Sequence, residues 1–139
     1  MFSLPKKTTP KPAAAKPLAI VVADDVEEIQ ELVALWLGDL GHSIRRASTG
    51  RELIELVREH AIDLVITDLA MPGGDGLDAI LSINRISLAT RILAVSGGGP
   101  CLPAAAGLRV AKGIGADEIL LKPFDQRKLI AAVDRLTRG

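Results

Sequence analysis

Four short stretches of this chain are apolar without alternation, and each runs into a polar side chain. Leu18-Ala-Ile-Val-Val-Ala23 precedes Asp24, Leu64-Val-Ile-Thr67 precedes Asp68, Arg91-Ile-Leu-Ala-Val95 precedes Ser96, and Glu118-Ile-Leu-Leu121 precedes Lys122. A strand that lacks a polar face is buried on both faces. Between these runs the apolar residues recur at helical spacing. Ile29, Leu32, Val33, Trp36, Leu37 and Leu40 form one stripe, which Gly41 ends. Leu53, Ile54, Leu56 and Val57 follow Thr49-x-x-Glu52, the pattern of a capping box. Leu77, Ile80, Leu81 and Asn84 form a third stripe, with Asp75 placed to cap it. A weaker helix containing Gly107 and Gly113 ends before Gly115, and Leu129, Ile130, Val133 and Leu136 follow a capping Asp125. His42 to Ala47, with Ile44 as its main apolar residue, supplies one more strand. The fold class is therefore α/β, with a doubly wound five-stranded parallel sheet and five helices.

Right-handed crossovers bring the carboxyl ends of all parallel strands to one edge, and sites in such sheets lie there, where the strand order reverses. Position alone then brings Asp24, Asp25, Asp68, Ser96 and Lys122 to one pocket. Three close carboxylates repel by about 4 kcal/mol per pair at an effective dielectric near 20. A hard divalent cation with oxygen ligands, such as Mg²⁺, removes that repulsion. One carboxylate can then attack a phosphoryl group while Lys122 and the cation neutralise its oxygens and Ser96 hydrogen-bonds one of them. The set fits phosphoryl transfer onto an aspartate.

The first 17 residues differ from the rest. They hold four Pro and four Lys without apolar periodicity, so 1–17 reads as a flexible tail and 18–139 as the folded domain. Nothing there resembles a secretory leader, so the cytoplasm is the expected compartment, without membrane insertion. Lys and Arg number 17 and Asp and Glu also 17, which argues against nucleic acid as a partner. The single cysteine, Cys101, excludes an internal disulfide, and nothing nearby activates its thiolate. Trp36 falls on a helical apolar stripe and reads as core, while His42 and His60 read as surface residues.

Val21-Val-Ala-Asp24-Asp25, Asp68-Leu-Ala-Met71-Pro72 with Asp75-Gly76, Val95-Ser96, and Gly115-Ala-Asp-Glu-Ile-Leu-Leu-Lys122-Pro123-Phe124 together resemble the receiver domain of two-component response regulators. The resemblance covers about residues 18–138. It implies the flavodoxin-like receiver fold, with Asp68 as phospho-acceptor and Mg²⁺ held by Asp24, Asp25, Asp68 and the backbone carbonyl of Ala70. It implies further that Ser96 is the switch hydroxyl, that Lys122 pairs with the phosphoryl group, and that the Lys122–Pro123 bond is cis. The switch and output positions are Gly97, Ile119 and Pro123. Ile119 stands where many receivers carry an aromatic residue, and it cannot flip as a ring does. Gly97-Gly-Gly-Pro-Cys-Leu-Pro103 lengthens the next loop. That loop and the Gly-containing fourth helix are expected to be the least stable part of the domain.

The expected function is a stand-alone signalling domain that is not an enzyme. It would accept phosphate from a histidine kinase or histidine phosphotransfer protein and bind an unknown downstream target protein. Arg109, Lys112, Ile119 and Lys128 would lie on the output face, and the state would be monomer or weak homodimer. A phosphorylation-independent adaptor on the same fold is the alternative. A flavin enzyme would want aromatic cover, and aromatic residues are only 2% of the chain. An aspartate-dependent phosphatase would want an acid where Ala70 stands.

Overall fold

The computed structural model describes residues 16–71, 76–97 and 104–138. Strands and helices alternate throughout: β1 (Ala19–Ala23), α1 (Glu27–Gly38), β2 (Ser43–Ala47), α2 (Gly50–Glu59), β3 (Leu64–Asp68), α3 (Gly76–Ile86), β4 (Arg91–Ser96), α4 (Ala104–Gly113), β5 (Glu118–Leu121) and α5 (Gln126–Thr137). The sheet is wholly parallel in the order β2-β1-β3-β4-β5. The order reverses between β1 and β3, so the ends of these two strands flank the switch point. Asp24 follows one and Asp68 ends the other.

Period-two alternation along the central strands divides the core into two layers. Ile20, Val22, Leu64, Ile66, Leu93 and Val95 pack with Val33 and Leu37 of α1 and with Leu129 and Val133 of α5. Val21, Ala23, Val65, Ile92 and Ala94 pack with Leu53 and Val57 of α2, Ile80 and Ile83 of α3, and Ala111 of α4. Both faces of β1, β3 and β4 are thus covered, which is why their sequences carry no polar alternation.

Helix termini follow the local chemistry in two cases. Thr49 Oγ1 accepts from the Glu52 amide, and Asp125 Oδ1 accepts from the Lys128 amide. The Glu52 carboxylate closes its box one residue early, on the Ser48 amide. At α1, Asp25 stands three residues before Glu28, the spacing of a capping box, but it does not cap the helix. The N-cap residue is Val26, whose side chain has no acceptor, and its own amide donates to Asp24 Oδ1. Two apolar residues face outward against the helical-stripe reading: Leu32 and Leu81. The buried face is narrower than the apolar stripe, because a helix packed on a sheet covers only part of it. Asp75, Pro72, Gly98 to Pro103 with Cys101, and tail residues 1–15 lie outside the described residues.

Candidate functional site

The β1 end places Asp24 and Asp25, and the β3 end places Asp68, so that carboxylate oxygens of all three lie within 4.8 Å of one another. Asp24 and Asp68 are buried, and Asp25 is exposed. Lys122, just beyond β5, reaches into this cluster. Its Nζ donates to Asp24 Oδ2 at 2.9 Å and to Asp68 Oδ2 at 3.0 Å. The second oxygen of each carboxylate accepts a backbone amide, Val26 N–H for Asp24 and Ala70 N–H for Asp68. Each buried carboxylate therefore has both oxygens engaged, as buried charge demands.

Electrostatics follow from this packing. Burial raises the pKa of Asp24 above the ordinary aspartate value, outweighing the Val26 amide and Lys122, and the negative charge of Asp68 adds to the rise. Burial acts against the Lys122 ammonium, but its hydrogen bonds to Asp24 and Asp68 outweigh this and raise its pKa. Lys122 therefore stays charged and partly compensates the acidic cluster.

Ser96, at the end of β4, is buried, and its carbonyl accepts from the Lys122 amide at 3.0 Å. That bond ties the β4 end to the segment carrying the lysine. Gly97 lies against the Lys122 stem, with its missing Cβ 3.4 Å from Lys122 Cβ and Cδ. Pro123 follows a cis peptide bond, matching the expectation from the resemblance. Ile119 pairs with Ala94 in the sheet and packs half-buried against the α4 side of the core. It is set back along β5 from the pocket. Trp36 packs half-buried against the core layer of α1 and α5, as its stripe implies. It lines a groove of ≈ 280 Å³ together with Ile29, Leu32, Val33, Lys122, Pro123 and Phe124.

Gln30 was not singled out from the sequence, and Gly76 appeared there only within a motif, without the role that the fold gives it. Gln30 is buried on the inner face of α1, three and seven residues before Val33 and Leu37. A polar residue at that spacing was the signal for it. Gly76 opens α3 so close to β3 that an added Cβ would stand 2.4 Å from the Asp68 carbonyl oxygen. Only the fold reveals that approach.

The chain matches the family model described as response regulator receiver domain over residues 20–134. It belongs to that family. The receiver domain is 36% identical over 116 residues to the DNA-binding transcriptional regulator NtrC of Azospirillum brasilense, covering 84% of this chain and 23% of that protein. It is 32% identical over 145 residues to the alkaline phosphatase synthesis transcriptional regulatory protein SphR of Synechococcus elongatus, covering 98% of this chain and 55% of that one. The receiver domain thus spans about half or less of the length of these curated relatives.

Among solved structures, a response regulator from Chloroflexus aurantiacus J-10-fl superposes with a TM-score of 0.80 at 25% identity, covering 89% of this chain and 100% of that one. A response regulator protein from Burkholderia pseudomallei, solved with a phosphorylated aspartic acid, a calcium ion and citrate, gives a TM-score of 0.74 at 26% identity. That match covers 83% of this chain and 65% of that one. The receiver fold, a five-stranded parallel sheet with five helices, is shared with these neighbours. Among the described residues no helix is long and apolar enough to cross a membrane.

Proposed function

We propose that this receiver domain is a phosphorylation-controlled switch whose phospho-acceptor is Asp68. The observation that carries the reading is the Lys122 ammonium held between the Asp24 and Asp68 carboxylates at the switch point of the sheet. Asp68 would attack phosphorus through a carboxylate oxygen as the bond between phosphorus and the donor imidazole nitrogen breaks. The imidazole departs neutral, and one new acyl–phosphate bond replaces the bond lost.

An all-oxygen cluster of three carboxylates suits a hard cation. Asp24, Asp25, Asp68 and the Ala70 carbonyl would hold Mg²⁺, which when bound supplies positive charge to the carboxylates and to the phosphoryl oxygens. The chain's own residues do the rest. Lys122 exchanges its carboxylate partners for the incoming phosphoryl oxygens, so its charge follows the negative charge from the Asp68 carboxylate to the phosphoryl group. Ser96 sits one strand over from Asp68, since Val95 pairs with Asp68 in the sheet, and its hydroxyl would hydrogen-bond a phosphoryl oxygen. The main-chain bond between Lys122 and Ser96 would make both respond together, with Gly97 giving the lysine stem room.

The donor would be a histidine kinase or a histidine phosphotransfer protein in the cytoplasm, and the output would be binding to a target protein. The output face would lie on α4, β5 and α5, where Val110 and Leu121 are exposed beside Arg109, Lys112 and Lys128. Residues 18–139 would form this unit, and 1–17 a tail outside it.

Intact mass after incubation with Mg²⁺ and a small phosphoramidate donor tests the reading. One added phosphoryl group, absent in Asp68→Ala and lost when Mg²⁺ is chelated, is the expected result. Equal phosphorylation of Asp68→Ala would overturn it.

A further inference from the structure

We infer that Gln30 is a positioning residue for the cation pocket, fixing the Asp24–Asp25 peptide against the end of β2 while Arg46 holds its amide in orientation. The inference rests on the receiver reading of the pocket and goes beyond it. Among the described residues no side chain hydrogen-bonds the Asp25 carboxylate, so its place relative to Asp24 and Asp68 is set by its backbone. The backbone group immediately before it, the Asp24 carbonyl, accepts from Gln30 Nε2. The same nitrogen donates to the Ala47 carbonyl at 3.0 Å and lies 3.1 Å from Ser48 Oγ.

These partners come from two loops. The β1–β2 ladder ends at the pair Ala23 and Ala47, and the Asp24 amide adds one bond to the Ala47 carbonyl at 3.1 Å. Beyond that point the strand ends have no further ladder, and the Gln30 amide spans them from below. Ser48 in turn is tied through its own amide to Glu52 at the start of α2. The β1–α1 and β2–α2 turns are thereby joined at one buried group.

The orientation of that amide is determined. Arg46 Nε donates to Gln30 Oε1 at 3.1 Å, which leaves Nε2 facing the carbonyls. A flipped amide would set its oxygen against two carbonyl oxygens and its nitrogen against a guanidinium. Packing alone gives no reason for a glutamine here, since Val33 and Leu37 on the same face are apolar. A buried amide whose two N–H groups reach carbonyls and whose oxygen is held by Arg46 is the kind of polar group that fixes one geometry at a cost in desolvation.

The test is calorimetric titration of the full chain with Mg²⁺ alone, with melting curves recorded beside it. The variants are Gln30→Met, which keeps the volume and removes the amide, Arg46→Met on the exposed edge strand, and Val33→Ala as a packing control. The wild type binds Mg²⁺ under the pocket reading. Gln30→Met is expected to weaken binding about tenfold, as the loss of one to two hydrogen bonds implies. Arg46→Met is expected to weaken it about threefold, and it serves in place of Gln30→Met if that variant does not fold. Val33→Ala is expected to melt lower with its Mg²⁺ affinity unchanged. A wild type that binds no Mg²⁺ would overturn the pocket reading and the inference with it. A wild type that binds, with Gln30→Met and Arg46→Met binding equally well, would overturn the inference alone. Equal weakening in Val33→Ala would reduce Gln30 to a general packing role and overturn it too.

Discussion

Lys122 Nζ donates to Asp24 Oδ2 at 2.9 Å, joining groups 98 residues apart in the chain. The same ammonium reaches Asp68, so one lysine compensates two carboxylates that burial and mutual repulsion would otherwise set against folding.

Removing that ammonium leaves a buried acidic pair uncompensated. Lys122→Met is expected to lower stability by about 3 kcal/mol without divalent cations, the usual cost of breaking a buried pair. Mg²⁺ should restore more stability to the variant than it adds to the wild type, because it substitutes for the missing charge. Urea unfolding with and without Mg²⁺ measures both. Equal gains from Mg²⁺ would contradict the role given to Lys122.

Gly76 is needed where α3 meets β3. Its missing Cβ would stand 2.4 Å from the Asp68 carbonyl oxygen and 2.6 Å from Leu69 Cα, and both are backbone atoms that no rotamer change can move. Gly76→Ala is therefore expected to destabilise by about 1–3 kcal/mol through overpacking. It should also slow phosphorylation of Asp68 even when fully folded. A variant with wild-type melting and wild-type phosphorylation would show that the two backbones separate easily.

His42 gives the domain a pH-dependent element. The Leu18 amide donates to His42 Nδ1 at 3.1 Å, which requires a neutral ring. Burial lowers its pKa below 6.5, and the nearby Asp134 charge only partly offsets this. The unfolded chain then binds more protons than the folded one just below pH 6.5. Stability from this group is present above that pH and is lost as pH falls through it, with a slope of at most about 1.4 kcal/mol per pH unit. His42→Gln should flatten that part of the profile. An unchanged slope in chemical denaturation between pH 5 and 7 would assign it elsewhere.

Unbroken apolar runs marked the central strands because three of them are covered on both faces, and such a run has few other uses in a chain of this kind. The polar residues at their ends were legible for the same reason: parallel crossovers leave only one edge for Asp24, Asp68, Ser96 and Lys122. Less was visible where a residue's role depends on a neighbour distant in sequence. Gln30 acts through carbonyls at the ends of two separate strands, and Gly76 matters because of a backbone it approaches across a turn. His42 read as surface because its partner, Leu18, is 24 residues away. Leu32 read as part of a buried stripe, yet it is exposed, because a helical stripe gives direction without giving the width of the buried face.

The fourth helix is expected to open more readily than the rest. Gly107 falls inside α4, where a glycine costs about 1 kcal/mol relative to Ala, while Gly113 ends the helix. Amides of Ala104–Gly113 should exchange with deuterium faster than those of β3, and phosphorylation should slow them. Exchange as slow there as in β3 would remove α4 from the switch.

The central claim is that Asp68, and neither Asp24 nor Asp25, carries the phosphoryl group. Borohydride reduces an acyl phosphate to an alcohol, so reduction of the phosphorylated protein followed by peptide mass mapping marks the acceptor permanently. The account predicts homoserine at position 68 alone, in a Mg²⁺-dependent yield. Homoserine at position 24 or 25, or at position 68 equally without Mg²⁺, would contradict it.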